Sequence, residues 1–303
     1  MLTDLIATWL ASRRAGGYSL KHLERDLQPF VVFSAARAEE HIRAATAIEW
    51  AAQAATPGQR YQRFHKVAQL ARYLHAEDPR HEILPAGYFP SKGHRPVPYI
   101  YSADDERRLF EVATHLGSSE TIRPHAVTAV LALLFATGLR VSEALALRTG
   151  DVSPDGLIIR ETKFRKTRLV PLHASAARGL ASHLDRRRAF AGNEDHVFLH
   201  APGKSLGPKA FRYWWDHILL ASGIRPAPPA RRPRIHDIRH TFAVRALESA
   251  PALRDRIDRH MLAVSTYLGH SRIANTYWYF QATPGLMSQV ADACQKSFEG
   301  ARP

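Results

Sequence analysis

The stretch Ala136–Leu147 reads ATGLRVSEALAL, and it decides how the second half of the chain is built. It closes a strongly apolar run whose spacing predicts a buried helix over 125–136. That helix runs into Thr137-Gly138-Leu139-Arg140. A second helix is expected from about Ser142 to near Leu147. Between the two stands Arg140, with Glu143 a turn later. An arginine at such a junction either lies on the surface beside the carboxylate or holds a ligand. Its planar fork of donors suits a phosphate gripped at two oxygens.

Working outward toward the C-terminus, Gly156–Arg160 and Thr167–Pro171 read as two strands joined by the basic turn Lys163-Phe164-Arg165-Lys166. A basic hairpin tip is either solvated or brings a flexible lysine to a leaving oxygen. Val197–Leu199 reads as a short edge strand, and helices are expected over 174–190, 209–221, 236–247 and 284–298. Pro226–Pro233 is a loop; Arg231, Arg232 and nearby Arg234 lie in or beside it. In His236-Asp237-Ile238-Arg239-His240, the two histidines share a helix face as metal ligands can. The acidic residue is Asp rather than the Glu of the zinc-protease motif, and no third ligand follows at the required spacing, so no metal is expected. His236 and Arg239 also share a face, which can put an imidazole and a guanidinium on one phosphate. Leu268-Gly269-His270-Ser271 reads as a turn presenting a histidine. Thr276-Tyr277-Trp278-Tyr279-Phe280 reads either as aromatic core or as the carrier of a tyrosine nucleophile.

Toward the N-terminus, Leu2, Leu5, Ile6, Trp9 and Leu10 fall on one helical face, and the run from Ala35 to Ala54 repeats that pattern. Thr56-Pro57 predicts a helix start with Thr as N-cap and Pro in the first turn. The helix that follows buries Tyr61, Phe64, Val67, Leu70, Ala71 and Leu74. Arg60, Arg63 and Lys66 lie off this stripe, as a solvated face or as a face laid into a DNA groove. From Pro85 to Pro98 the chain is rich in Pro, Gly and Lys and reads as a linker carrying Lys92, His94 and Arg95. Ser102 before Asp104-Asp105-Glu106 predicts another helix start.

The chain has 303 residues, enough for two domains. Its 42 basic side chains against 28 acidic ones leave a net charge of +14, which favours a polyanionic partner. Cys294 stands alone, so neither an intrachain disulfide nor a thiolate metal site is expected, and a reducing cytosolic setting fits. No segment approaches the roughly 18 apolar residues of a membrane helix.

Four segments, ATGLRVSEALAL (136–147), KFRKTRLVPL (163–172), HDIRHTFA (236–243) and YLGHSRIANTYWY (267–279), follow one another in this order. Together they resemble the signature boxes of the tyrosine recombinases, the phage-integrase family. The helix over 56–74 resembles the family's core-binding domain more loosely. The resemblance implies a mainly α fold with a small β-sheet (α+β) arranged as a two-domain clamp. Its parts would be a helical core DNA-binding domain over 1–84, a linker over 85–100 and an integrase-type catalytic domain over 101–303.

Carried over position by position, the family pattern makes Arg140 and Arg239 the catalytic arginines, with His236 and His270 beside them. The shared ending Arg168–Leu172 selects Lys163 as the hairpin lysine over Lys166. The nucleophile of the family lies nine residues after the Gly-His histidine, and 279 − 270 = 9 selects Tyr279, with Tyr277 as the alternative. The implied activity is site-specific cleavage and rejoining of double-stranded DNA through a 3′-phosphotyrosine, with no cofactor, for a mobile element. Implied partners are DNA bearing specific recombination sites, a homo-tetramer in the synaptic complex, and accessory proteins; the implied location is cytoplasmic, at the nucleoid. Arg60, Arg63, Lys66, Lys92, Arg95, Arg165, Lys166, Arg231, Arg232 and Arg234 would serve as phosphate contacts. A type IB topoisomerase and a catalytically decayed DNA-binding protein are the rival readings. One departure is the charged stretch from Ser249 to Met261, longer than the family's usual link between the second and third boxes.

Overall fold

Helix starts that the sequence announces are built as expected. Thr56 caps a helix over Pro57–Glu77, its Oγ1 accepting from the Gln59 N–H at 3.3 Å while Gln59 Oε1 accepts from the Thr56 N–H at 3.4 Å. Ser102 and Asp105 close the same reciprocal pair, at 3.0 Å each way, ahead of a helix over Ala103–Thr114. The computed structural model describes residues 2–18, 20, 22–90, 97–118, 120–160, 167–226, 231–249 and 254–269, the stretch 254–258 by its backbone alone. The chain divides into two units, Met1–Pro96 and Val97–Pro303.

The first unit is helical: α1 (Leu2–Ala15), α2 (Leu23–Ala35), α3 (Ala44–Ala52) and α4 (Pro57–Glu77). Their apolar faces meet in one core containing Leu10, Leu27, Phe30, Ala47, Trp50, Val67 and Leu70. Phe30 and Trp50 pack edge to face with centroids 5.4 Å apart. The helical pattern read across Ala35–Ala54 is not one helix. α2 ends at Ala35 and α3 begins at Ala44, with Ala38 between them at φ 54°, a left-handed backbone that no right-handed helix passes through. Glu39 stabilises the break, accepting from Ser34 Oγ at 3.2 Å and Thr46 Oγ1 at 2.7 Å. The apolar spacing survives because Ile42 still drops fully buried into the core.

In the second unit, α5 (Ala103–Thr114) and α6 (Ile122–Thr137) precede the short α7 (Val141–Leu145). Three antiparallel strands follow, β1 (Val152–Ser153), β2 (Gly156–Ile159) and β3 (Arg168–Val170), in the order β1-β2-β3. Leu157 pairs with Val170 and Ile159 with Arg168. Then come α8 (Ala174–Arg187), a hairpin of β4 (Leu199–Ala201) and β5 (Lys204–Ser205), α9 (Pro208–Ala221), α10 (Ile235–Glu248) and α11 (Arg254–Leu268).

α6 starts earlier than its apolar run suggested, because Pro124 falls in its first turn, where no backbone N–H is needed. It forms the centre of the unit: Val127, Val130, Leu131 and Leu134 are essentially inaccessible, and Phe211, Trp215 and Ile218 of α9 belong to the same core. The short strand expected at Val197–Leu199 lies instead at Leu199–Ala201, since the Val197 N–H bonds the Leu147 carbonyl at 2.8 Å. The charged stretch after Ser249 becomes helix from Arg254. Met261, Val264 and Leu268 give α11 an apolar stripe that packs on Ala243, Val244 and Leu247 of α10. The helix expected over 284–298 lies outside the described residues.

Candidate active site

Gly138 ends α6 at φ 60°, its N–H bonded to the Leu134 carbonyl at 2.9 Å. A Cβ at this position would lie 2.5 Å from the Phe242 ring, so both the conformation and the space call for glycine. The turn it makes delivers Arg140 to the start of α7. There the Arg140 N–H bonds Glu143 Oε2 at 3.0 Å and its Nη1 bonds Glu143 Oε1 at 2.7 Å. Arg140 keeps about a third of its side chain accessible, while Glu143 is 8% exposed.

Arg239 reaches the same place from α10. Asp237, fully buried, holds the start of α10 by accepting from the Arg234 N–H at 2.8 Å and Arg234 Nη2 at 2.9 Å. Tyr101 ties its flank: the Tyr101 hydroxyl donates to the Arg234 carbonyl at 3.1 Å, and its N–H to Thr241 Oγ1 at 2.9 Å. One turn in, the buried Arg239 guanidinium donates through Nη1 to the Gly138 carbonyl at 2.8 Å and through Nη2 to the Leu268 carbonyl at 2.6 Å. Arg140 Nη2 meets the Gly269 carbonyl at 3.5 Å. The two arginines therefore converge on the last turn of α11 from two different elements.

His236 stands one helical turn before Arg239, its ring perpendicular to that of His240 with centroids 4.8 Å apart. Surrounding protein, then the Arg239 and Arg234 charges, push its imidazole down to about 4, against the partial pull of Asp237. The residue is exposed at the surface, so solvent screens part of this effect. The neutral imidazole is the form present at neutral pH. Burial alone would raise Glu143, but bonds from Arg168 and from the Arg140 backbone, together with the Arg168 charge, hold its carboxyl at about 2. Glu143 thus stays ionised and neutralises part of the local positive charge.

The geometry joins Arg140, His236 and Arg239, three of the six residues the boxes singled out. Lys163, His270 and Tyr279, with the alternatives Lys166 and Tyr277, lie outside the described residues, as do Lys92, Arg95 and Arg165. Of the remaining phosphate-contact candidates, several have partners within the fold. Arg60 Nε donates to the Ala54 carbonyl at 2.9 Å, Arg63 lies 5.1 Å above the Trp50 ring, and Lys66 pairs with Asp26 at 2.8 Å. Arg232 pairs with Asp216 at 3.2 Å, Arg234 with Asp237, and Arg231 is half-buried. Arg168 was not singled out by the sequence beyond its place in the hairpin, yet its guanidinium grips both oxygens of Glu143, at 3.1 and 2.9 Å. The only trace of that role in the sequence is an arginine opening a strand two box-lengths from a glutamate.

The described part of this arrangement sets the partly accessible Arg140 guanidinium beside the buried Arg239, with a neutral imidazole at His236 one turn away; donors of this kind suit an anion. The family model described as the phage integrase family matches residues 101–285. The putative integrase/recombinase y4rB of Sinorhizobium fredii is 34% identical over 97% of this chain and 97% of its own length. Tyrosine recombinase XerC of Pseudomonas syringae pv. syringae is 32% identical over 69% of this chain and 64% of its own. Among solved structures, a lambda integrase dimer bound to a core site superposes with TM-score 0.65 at 17% identity, over 91% of this chain and 75% of that one. The Tn1549 transposon integrase in complex with transposon right end DNA gives 0.68 at 15% identity, over 97% and 98%. These two show the shared fold.

The chain belongs to the phage integrase family, the tyrosine-type site-specific DNA recombinases. Its mainly helical architecture with small sheets is the architecture the box resemblance implied. Among the described residues no helix is long and apolar enough to cross a membrane.

Proposed function

We propose that this chain cuts and rejoins duplex DNA at defined sites through a 3′-phosphotyrosine intermediate, in the service of a mobile element. The observation that carries the reading is the convergence of Arg140 and Arg239 on the last turn of α11, whose chain runs directly into His270 and, nine residues later, Tyr279. In this reading Tyr279 Oη attacks the scissile phosphorus, forming the O–P bond as the bond to the departing 5′ oxygen breaks. Arg140 and Arg239 bind the non-bridging oxygens and stabilise the charge that builds in the transition state. Lys163 protonates the leaving 5′ oxygen, and His236, neutral at physiological pH, assists proton movement on the tyrosine side. His270 adds a hydrogen bond to the phosphate. The phosphodiester is exchanged for a phosphotyrosyl ester, so rejoining consumes no nucleotide.

Membership of the family and the net charge of +14 support DNA as the partner. The end-to-end similarity to a putative integrase/recombinase supports DNA recombination as the activity. A homo-tetramer on two sites, with accessory proteins, completes the proposal. The test is a denaturing gel for a covalent protein–DNA adduct on nicked suicide duplexes carrying the boundaries of the element around the gene. Wild type should form the adduct and Tyr279→Phe should not. No adduct from wild type on the true boundaries would sink the reading. An adduct from Tyr279→Phe but not from Tyr277→Phe would move the nucleophile by two residues and leave the rest intact.

A further inference from the structure

We infer that Arg168 is a positioning residue for strand cleavage, acting through Glu143 on Arg140 and through a backbone carbonyl on the end of α11. The inference rests on the proposed role of Arg140 at the phosphate. Arg168 opens β3, and its side chain is 14% exposed against 33% for Arg140, so it stands behind the site rather than in it. Three of its nitrogens are engaged. Nη1 and Nη2 hold Glu143 Oε1 and Oε2, at 3.1 and 2.9 Å, and Nε donates to the Tyr267 carbonyl at 3.1 Å.

Glu143 is consequently shared. Each of its oxygens accepts once from Arg168 and once from Arg140, the latter through Nη1 and the backbone N–H. A carboxylate held by Arg140 alone is free to turn and to take the fork with it. The two-point grip of Arg168 fixes the carboxylate plane, and so the direction of the Arg140 guanidinium.

The second arm fixes α11. The consecutive carbonyls of Tyr267, Leu268 and Gly269 accept from Arg168, Arg239 and Arg140, at 3.1, 2.6 and 3.5 Å. A helix C-terminus carries partial negative charge, and here it is seated on three cations. Gly269, at φ 67°, lies so near that a Cβ would fall 2.9 Å from Arg168 Nη1. The guanidinium therefore sets where the chain leaves α11, one residue before His270.

The test uses the full-length protein and the suicide duplex described above, with Arg168→Met and Arg168→Lys. Single-turnover cleavage by Arg168→Met should slow by roughly 10- to 100-fold, the scale expected for a displaced catalytic group, while duplex affinity is unchanged. Arg168→Lys restores the charge without the two-point grip and should recover only part of the rate. The Glu143 ¹³Cδ resonance supplies a readout independent of cleavage. At about pH 4, near where an ordinary glutamate is half protonated, it should remain that of a carboxylate in wild type and shift toward the acid in Arg168→Met. If Arg168→Met fails to fold, the lysine variant carries both measurements. Wild-type cleavage by an Arg168 variant, alongside an inactive Arg140→Ala, overturns the inference alone. So does a loss of rate and affinity together, with the Glu143 resonance unmoved, since that marks a purely structural role. Wild-type cleavage by Arg140→Ala removes the underlying reading, and the inference with it.

Discussion

Arg239 of α10 donates to the Gly138 carbonyl at 2.8 Å, joining the start of one signature segment to the middle of another. The same guanidinium holds the Leu268 carbonyl. Arg239→Met leaves two carbonyls without their charged donor, at a cost of about 1–3 kcal/mol for each one left unpaired and buried. Urea unfolding of the purified protein should show the midpoint falling with the slope unchanged. An unchanged midpoint would mean that these anchors contribute nothing to stability.

Gly138 makes a sharper prediction. Gly138→Ala must hold alanine in a left-handed conformation, worth about 1–2 kcal/mol, and must also clear the Phe242 ring, worth a further ~1–3 kcal/mol. Phe242→Leu in the same chain should recover the contact part and leave the conformational part. Thermal unfolding of the two single variants and the double variant measures the coupling. Strict additivity would show that the ring contact plays no role.

Acid should weaken the second unit through His183. This buried side chain of α8 stacks on Phe198, its Nε2 lying 3.1 Å from the Val197 carbonyl. Burial, and then the Arg187 charge, push it down to about 4 against the help of that carbonyl. A histidine depressed in the folded state contributes stability that is complete above its unfolded pKa of about 6.5 and is lost as pH falls toward 4. The loss should be on the order of 3 kcal/mol across that window. Urea titrations between about pH 7.5 and 4.5 should show it, and His183→Gln should flatten the slope. His81, also lowered by burial and with its Nδ1 accepting from the Ile42 N–H at 3.0 Å, acts in the same direction in the first unit.

For His236 the expectation is kinetic. If its imidazole assists the tyrosine, the acid limb of kcat/KM for adduct formation reports its ionisation in the free enzyme. That limb should lie below about pH 6, because desolvation and the neighbouring arginines depress the group from its ordinary 6.5. A limb at or above the ordinary value, or one that persists in His236→Gln, would assign the ionisation to another group.

Much of this was legible in the residue string because it is local. The Thr56-Pro57 and Ser102–Asp105 caps depend on neighbours three residues apart, and both are formed as read. His236 and Arg239 needed only helical spacing to share a face. The break between α2 and α3 was not legible: the apolar period runs on through it, and nothing in Ala35-Ala36-Arg37-Ala38 announces a left-handed residue. α11 was hidden in the same way, its apolar stripe confined to the half that follows a run of charges.

By itself, the sequence determined the family, the order of the boxes, and where their arginines and histidines stand in the chain. Those properties live in short segments, where spacing and chemistry suffice. Only the tertiary structure decided which groups meet. Arg168 reaches Glu143 across 25 residues and the Tyr267 carbonyl across 99, and Arg239 reaches the Gly138 carbonyl across 101. No periodicity encodes such pairs. They arise because buried donors and acceptors must be satisfied once packing has excluded water, and packing is settled by the whole unit at once.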